Sequence, residues 1–267
     1  MKVIVLASGS NGNSTYVKTA DLSLLIDCGI SAKQIQNRLL EMNVDYMTID
    51  KIFLTHEHID HVRGLAVLSA KNPKFQIYLT KGTYEGLSYD CRMRLEAYQV
   101  NFIKQDEVLN FGNTKITILR THHDAREPIG LMIEEGEKRF VYITDTGYFE
   151  ESYFAKISNP DLLLIESNYD VDLLYTSERP FELKKRIDSN YGHLSNYDSA
   201  LLVSRIVGPK TKRVILGHIS EDCNFYFSPK TILKFHQDIY EEIGLDTAKI
   251  SFDIGNRNGI TGEYDIW

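Results

Sequence analysis

Residues 53–64 read FLTHEHIDHVRG, which puts three of the chain's eight histidines and two carboxylates into six positions. So much imidazole and acid beside an apolar run calls for a shared task. A zinc-protease helix of the form H-E-x-x-H would need His at position 60, and position 60 is Asp, so that pattern fails. The other reading is a metal site on the turn that leaves a strand. Residues 51–54, KIFL, have the apolar character of a buried strand, and His56 begins just past its end.

The same placement recurs along the chain. Asp27 follows LLI, His123 follows TILRTH, Asp145 follows VYIT, Glu166 follows LLLI and His218 follows VILG. Any one of these would pass as a capping or turn residue. With His56 they make six, and six at strand ends need a common cause, because a sheet delivers the ends of its strands to one edge. Imidazole and carboxylate together suit zinc, manganese or iron, and the absence of thiolate disfavours a purely structural zinc knuckle. His56 and His58, two apart on an extended turn, can aim at one ion. Asp60 and His61 can aim at a second, and a carboxylate such as Asp145 can bridge the two. Two ions about 3.5–4 Å apart can clamp both sides of an in-line displacement.

Elsewhere, short apolar runs predict strands at 3–6, 15–18, 23–26, 76–79, 100–103, 115–120, 130–134, 139–143, 162–165 and 213–216. Helices are expected at 31–42 behind a Ser31 cap, and at 63–70, 178–187, 196–206 and 229–243. Strands in runs with helices interspersed imply an α/β fold of layered sheets covered by helices, here as a single domain over 1–267. The glycines of SGSNGNS, 8–14, match neither a P-loop nor a dinucleotide fingerprint, and the segment reads as a hairpin turn. His236 falls on the apolar side of the last helical pattern and reads as a core or boundary residue.

Cys28, Cys91 and Cys223 form neither a disulfide framework nor a CxxC motif, which fits a reducing cytoplasm. No apolar run approaches the roughly 20 residues that cross a bilayer. A net charge of −7 excludes coating nucleic acid by bulk electrostatics but leaves room for a local positive site.

His56-Glu57-His58-Ile59-Asp60-His61 resembles the HxHxDH signature of the metallo-β-lactamase fold, with Asp27 before it and His123, Asp145 and His218 after it in the family's order. Within that superfamily the chain is most similar to the YycJ-like (WalJ) group. The likeness lies in Glu166-Ser167-Asn168-Tyr169-Asp170, Tyr191-Gly192-His193-Leu194-Ser195-Asn196, Leu216-Gly217-His218-Ile219-Ser220-Glu221 and His123-Asp124-Ala125-Arg126-Glu127-Pro128. It runs from near residue 1 to about residue 227, and Tyr169 stands where that group often carries His.

The resemblance implies a four-layer αββα sandwich with a two-metal site at one edge of its sheets. By it, His56, His58 and His123 would hold one divalent ion, Asp60, His61 and His218 the other, and Asp145 would bridge them. His123 is chosen over His122 because Asp-Ala-x-Glu-Pro follows it. Asp27 and Glu166 would grip the far nitrogens of ligating histidines or nearby backbone. Asp60 would orient the attacking water, and His193 would bind phosphate or protonate a leaving oxygen.

Members of the group are regarded as metal-dependent 5′→3′ exonucleases, so the expected partner is a DNA or RNA end. Lys184-Lys185-Arg186 and 210–213 are candidate backbone contacts, with Tyr191, Tyr197, Phe225, Tyr226 and Phe227 as stacking surfaces. The competing class is a small-molecule hydrolase of the same fold, a cyclic phosphodiesterase, lactonase or thioesterase, which would need a closed pocket. A di-iron redox protein would carry Glu where His58 stands.

Overall fold

In a computed structural model of the chain, residues 1–72 and 74–266 are described. They build two seven-stranded sheets. The first contains β1 (Lys2–Ala7), β2 (Ser14–Lys18), β3 (Ser23–Ile26), β4 (Lys51–Phe53), β5 (Gln76–Thr80), β6 (Gln99–Ile103) and β14 (Gly262–Asp265), in the order β14-β1-β2-β3-β4-β5-β6. The second contains β7 (Val108–Phe111), β8 (Thr114–Arg120), β9 (Ile129–Glu135), β10 (Lys138–Ile143), β11 (Leu162–Glu166), β12 (Arg213–Gly217) and β13 (Ser251–Ile254), in reverse chain order.

The helices are α1 (Ala32–Glu41), α2 (Ile59–Val62), α3 (Leu65–Lys71), α4 (Lys81–Gly86) and α5 (Tyr89–Leu95) in the first half of the chain. In the second half they are α6 (Phe154–Ile157), α7 (Val171–Thr176), α8 (Phe181–Ile187), α9 (Asn196–Ile206) and α10 (Pro229–Glu242). Where sequence marks the start of a helix, chemistry explains it. Ser31 and Gln34 form a reciprocal capping box at α1, and Ser195 accepts from Asp198 N at α9. The helix expected at 178–187 begins only at Phe181, behind Pro180, whose fixed φ suits a helix entrance.

Three apolar clusters account for the layering. Val5, Ile26, Phe53, Ile118, Leu131, Tyr142 and Leu164 fill the space between the sheets. Leu6, Leu25, Ile35, Leu39, Leu54 and Leu68 seal the first sheet against α1 and α3. Val141, Leu163, Val203, Leu216, Ile232 and Ile239 seal the second against α9 and α10. Strands buried on both faces read as continuous apolar runs for this reason. The result is the expected αββα sandwich.

Direction then places the site. β3 pairs parallel with β4, and β10, β11 and β12 run parallel to one another, so their C-terminal ends share one edge. β8 joins them, being antiparallel to β9, which is antiparallel to β10. Cross-links hold the two sheets in register there. Ile129 N donates to Thr55 O at 3.0 Å, and His218 N donates to Ser8 Oγ at 3.0 Å. The basic run at 210–213 leads into the N-terminal end of β12 and therefore lies at the opposite edge, where Lys210 pairs with Asp161 and Arg213 with Asp253. It is no contact for a substrate at the site.

Candidate metal centre

Two sets of donor atoms converge at the shared edge, each within 4.8 Å of one another: His56, His58 and His123, and Asp60, His61, Asp145 and His218. The HEHIDH turn supplies four of the seven. His56 stays in extended chain past β4, His58 occupies the cap position of α2, and Asp60 and His61 lie on its single turn. Gly29 makes this packing possible, since a Cβ there would meet Asp60 O at 1.6 Å.

Three residues of the edge sit in left-handed backbone: Asp27 (φ 60°), Asp145 (φ 54°) and His218 (φ 52°). Non-glycine residues held there store strain of about 1–3 kcal/mol each and cluster at functional sites.

In the first set, His123 gives its Nδ1 hydrogen to Gly192 O at 2.8 Å, leaving Nε2 3.2 Å from His58 Nδ1. His56 Nε2 is buried and has no hydrogen-bond partner. In the second set, His61 Nδ1 lies 2.8 Å from Asp27 Oδ2, which turns its Nε2 inward to within 3.2 Å of Asp145 Oδ2. That oxygen too has no hydrogen-bond partner, so the two atoms face a common point rather than each other. His218 Nδ1 lies 3.0 Å from Glu166 Oε1, and its Nε2 lies 3.4 Å from Asp145 Oδ1 and 3.5 Å from Asp60 Oδ2. Asp145 Oδ1 is also 3.8 Å from His123 Nε2, so this carboxylate borders both sets.

The charge balance calls for a cation. Asp27, Asp145 and Glu166 are all buried at the site. Burial works against charge on His218, yet Asp145, Asp60 and Glu166 overcome it and raise the imidazole to about 10. His61 is likewise driven up against its burial, by Asp145, Asp27 and Asp60. Burial would raise the Asp145 carboxyl, but His218 and His61 hold it well below the usual range. His56 is the reverse case: burial, then neighbouring His61, pushes it far down, which suits a neutral imidazole donor. Imidazole nitrogens and carboxylate oxygens aimed at shared points, two of them without partners, fit divalent transition metals.

The remaining candidates are distributed as follows. Asp27 accepts from Thr55 N and Thr55 Oγ1 as well as facing His61. Glu166 holds His218 and, in addition, His193, whose Nδ1 is 2.6 Å away. His193 forms a third group with Asp145, Glu166 and His218. His122 points elsewhere, pairing with Glu150 at 3.0 Å. Lys184 is buried and donates to Tyr175 O and Ser177 O. Arg186 instead borders the metal basin, a cavity of about 250 Å³, together with Arg179.

Sequence reasoning missed Asn13, whose amide lies 3.0 Å from His61 Nε2 inside the supposed plain turn. It missed Asp124 too, which stands 3.3 Å from His123 Nε2 and is ion-paired to Arg186. Asn13 gave one signal, an amide side chain in a glycine turn beside the first strand.

Comparison with known proteins gives the chain's relatives. Residues 23–219 match the family model described as Beta-lactamase superfamily domain. The chain is 36% identical over 224 residues to Exodeoxyribonuclease WalJ of Streptococcus pneumoniae, covering 84% of this chain and 83% of that one. It is 32% identical over 220 residues to Exodeoxyribonuclease YycJ of Bacillus anthracis, covering 82% and 83%. The crystal structure of the metallo-beta-lactamase fold protein YhfI from Bacillus subtilis superposes with a TM-score of 0.69 over 99% of both chains at 18% identity, a likeness of fold.

Proposed function

The chain belongs to the beta-lactamase superfamily, and from that premise we propose that it is a dinuclear-metal phosphodiesterase, a 5′→3′ exonuclease acting on nucleic-acid ends. One observation carries the reading: two donor sets that meet at Asp145, with His56 Nε2 and Asp145 Oδ2 unpartnered, at a cavity that Arg179 and Arg186 also line. Two-metal sites of this kind serve in-line displacement at phosphorus. The identity to two exodeoxyribonucleases over four-fifths of the chain supports nucleic acid as substrate.

His56, His58 and His123 would hold one ion and Asp60, His61 and His218 the other, with Asp145 shared. Zinc and manganese suit these donors best, and iron is admitted by them. Bound there, the ions supply Lewis acidity toward a phosphoryl oxygen and a water nucleophile at neutral pH.

The chain's own residues do the rest. Asp60 is kept ionised, because His61 and His218 outweigh its burial, and it is poised to accept a hydrogen bond from the attacking water. Arg179, paired with Asp222, and Arg186, paired with Asp124, line the basin and bring positive charge toward a bound phosphate. Glu166 engages His193 Nδ1, which leaves Nε2 for the phosphate or the leaving oxygen.

No helix among the described residues is long and apolar enough to cross a membrane. Three unpaired thiols support a reducing, cytoplasmic setting.

The test is metal-reconstituted protein against DNA and RNA labelled at either end, with bis(p-nitrophenyl) phosphate, a lactone and a thioester alongside. Mononucleotide release from the 5′ end is expected. Dominant lactone or thioester hydrolysis with inert phosphodiesters would overturn the reading.

A further inference from the structure

We propose that a cavity lined by Arg38, Arg63 and Arg257 is a second phosphate site, which holds a backbone phosphate of the nucleic-acid strand other than the one being cleaved. The proposal rests on the nuclease reading and adds to it a place where the strand is gripped away from the chemistry.

The cavity is about 340 Å³ and has no carboxylate in its lining; Asn11, Gln34 and Asn258 add amide groups to the three guanidiniums. Arg38 is 8% exposed. Its Nη1 donates to Leu6 O at 2.7 Å and its Nη2 to Asn258 O at 2.9 Å. Arg63 donates to Asn11 O at 2.9 Å. Among the described residues neither has a carboxylate at ion-pair distance.

Arg257 is 6% exposed and pairs with Glu221, but its Nε is buried without a partner. Arg38, buried without a carboxylate partner, and Arg257 meet the exposed Arg63 at one cavity in a chain of net charge −7. The carbonyl bonds of Arg38 explain why Arg38 is there. They do not explain the convergence of Arg63 and Arg257 on the same space. A phosphate would take donors from Arg63 and from the unpartnered Nε of Arg257, while Arg38, whose Nη atoms are spent on carbonyls, adds positive charge.

Position connects this cavity to the metal basin. Ser10 borders the basin and Asn11, the next residue, borders the arginine cavity. Ser220 borders the basin while the next residue, Glu221, holds Arg257. Neighbouring residues of the same two turns thus border both cavities, and the proposal is that one strand reaches from one to the other.

Arg63 and Asn258 are exposed, so Arg63→Gln, Arg63→Glu and Asn258→Asp should all fold. On a single-stranded oligonucleotide, Arg63→Gln should raise KM about tenfold and Arg63→Glu further, with kcat within about twofold. The slope of log KM against log salt should become shallower by about one unit. Bis(p-nitrophenyl) phosphate, too small to span both cavities, should be hydrolysed as by the wild type.

Wild-type KM for the oligonucleotide in both Arg63→Glu and Asn258→Asp would sink the site while leaving the nuclease reading intact. A wild-type protein that hydrolyses the small diester and ignores oligonucleotides would instead defeat the nuclease reading and this inference with it. If inorganic phosphate alters hydrolysis of the small diester in the wild type but not in Arg63→Glu, the cavity is a free-anion effector site and the backbone assignment is wrong.

Discussion

Glu166 Oε1 lies 2.6 Å from His193 Nδ1, although the two residues are 27 positions apart, one ending β11 and the other on the segment before α9. The same oxygen is 3.0 Å from His218 Nδ1, so one buried carboxylate orients both a proposed ligand, His218, and the proposed acid or phosphate-binding side chain, His193. The arrangement makes His193 separable from the metals. His193→Ala should retain both ions, as measured by elemental analysis, and lose on the order of 10²–10⁴ in rate on natural phosphodiesters. A substrate with an activated leaving group needs little protonation and should lose far less. Equal losses on both substrates would assign His193 to phosphate binding, and no loss on either would remove it from the mechanism.

The Asp27–His61 pair allows a test at a distance from the substrate. Asp27 takes hydrogen bonds from Thr55 N and Thr55 Oγ1 and faces His61 Nδ1 at 2.8 Å. In Asp27→Asn one carboxylate oxygen becomes an amide that can only donate, so it opposes one of these donors. Asparagine tolerates the left-handed backbone at this position, so the fold should survive. Affinity for the ion held by His61 should fall about 10–100-fold, with the ion at His56 little changed. Competition with a chelator of known affinity would measure both.

Stoichiometry follows from the two donor sets. Two transition-metal ions per chain are expected after reconstitution. His56→Ala should deplete the first set and His61→Ala the second, whereas Asp145→Ala, which removes the group bordering both, should lower occupancy at each. A single ion in the wild type, or identical depletion in His56→Ala and His61→Ala, would contradict this partition.

Why the sequence disclosed so much of the site can be stated physically. A ligand just beyond an apolar strand is legible because the strand is buried on both faces and reads as an unbroken apolar run that the polar ligand ends, as at Ile143 and Asp145 or Leu216 and His218. The strands that went unread are those without such contrast. β7 and β13 are edge strands only half buried, and β14 is GEYD, which packs inward through Tyr264 alone. At the site, what stayed hidden depends on contacts between loops. No local pattern encodes the Asp124–Arg186 ion pair or the reach of Asn13 to His61. The cluster at 184–186 was legible as charge but not as role, since Lys184 caps backbone while Arg186 faces the basin.

His236 provides a test of the second sheet's support under acid. It sits on α10 among apolar neighbours, 1% exposed, with Nε2 3.0 Å from Ser167 Oγ and Nδ1 3.0 Å from the Tyr240 hydroxyl. No carboxylate is among these partners, so burial alone lowers its pKa to about 3, against an ordinary value of 6.5. The unfolded chain therefore binds a proton here that the folded chain refuses. Stability is at its full value above about pH 6.5 and declines as pH falls toward 3, where the loss is complete. The slope approaches about 1.4 kcal/mol per pH unit while one proton separates the two states. His236→Gln keeps a hydrogen-bonding side chain but cannot titrate. Its denaturation midpoint at neutral pH should be lower than the wild type's, yet it should fall less steeply between pH 6.5 and 3. Metal-site residues titrate in both proteins, so the difference between the two curves isolates position 236. Parallel curves would mean that the folded protein admits the proton, with Ser167 or a local opening of α10 accommodating the imidazolium.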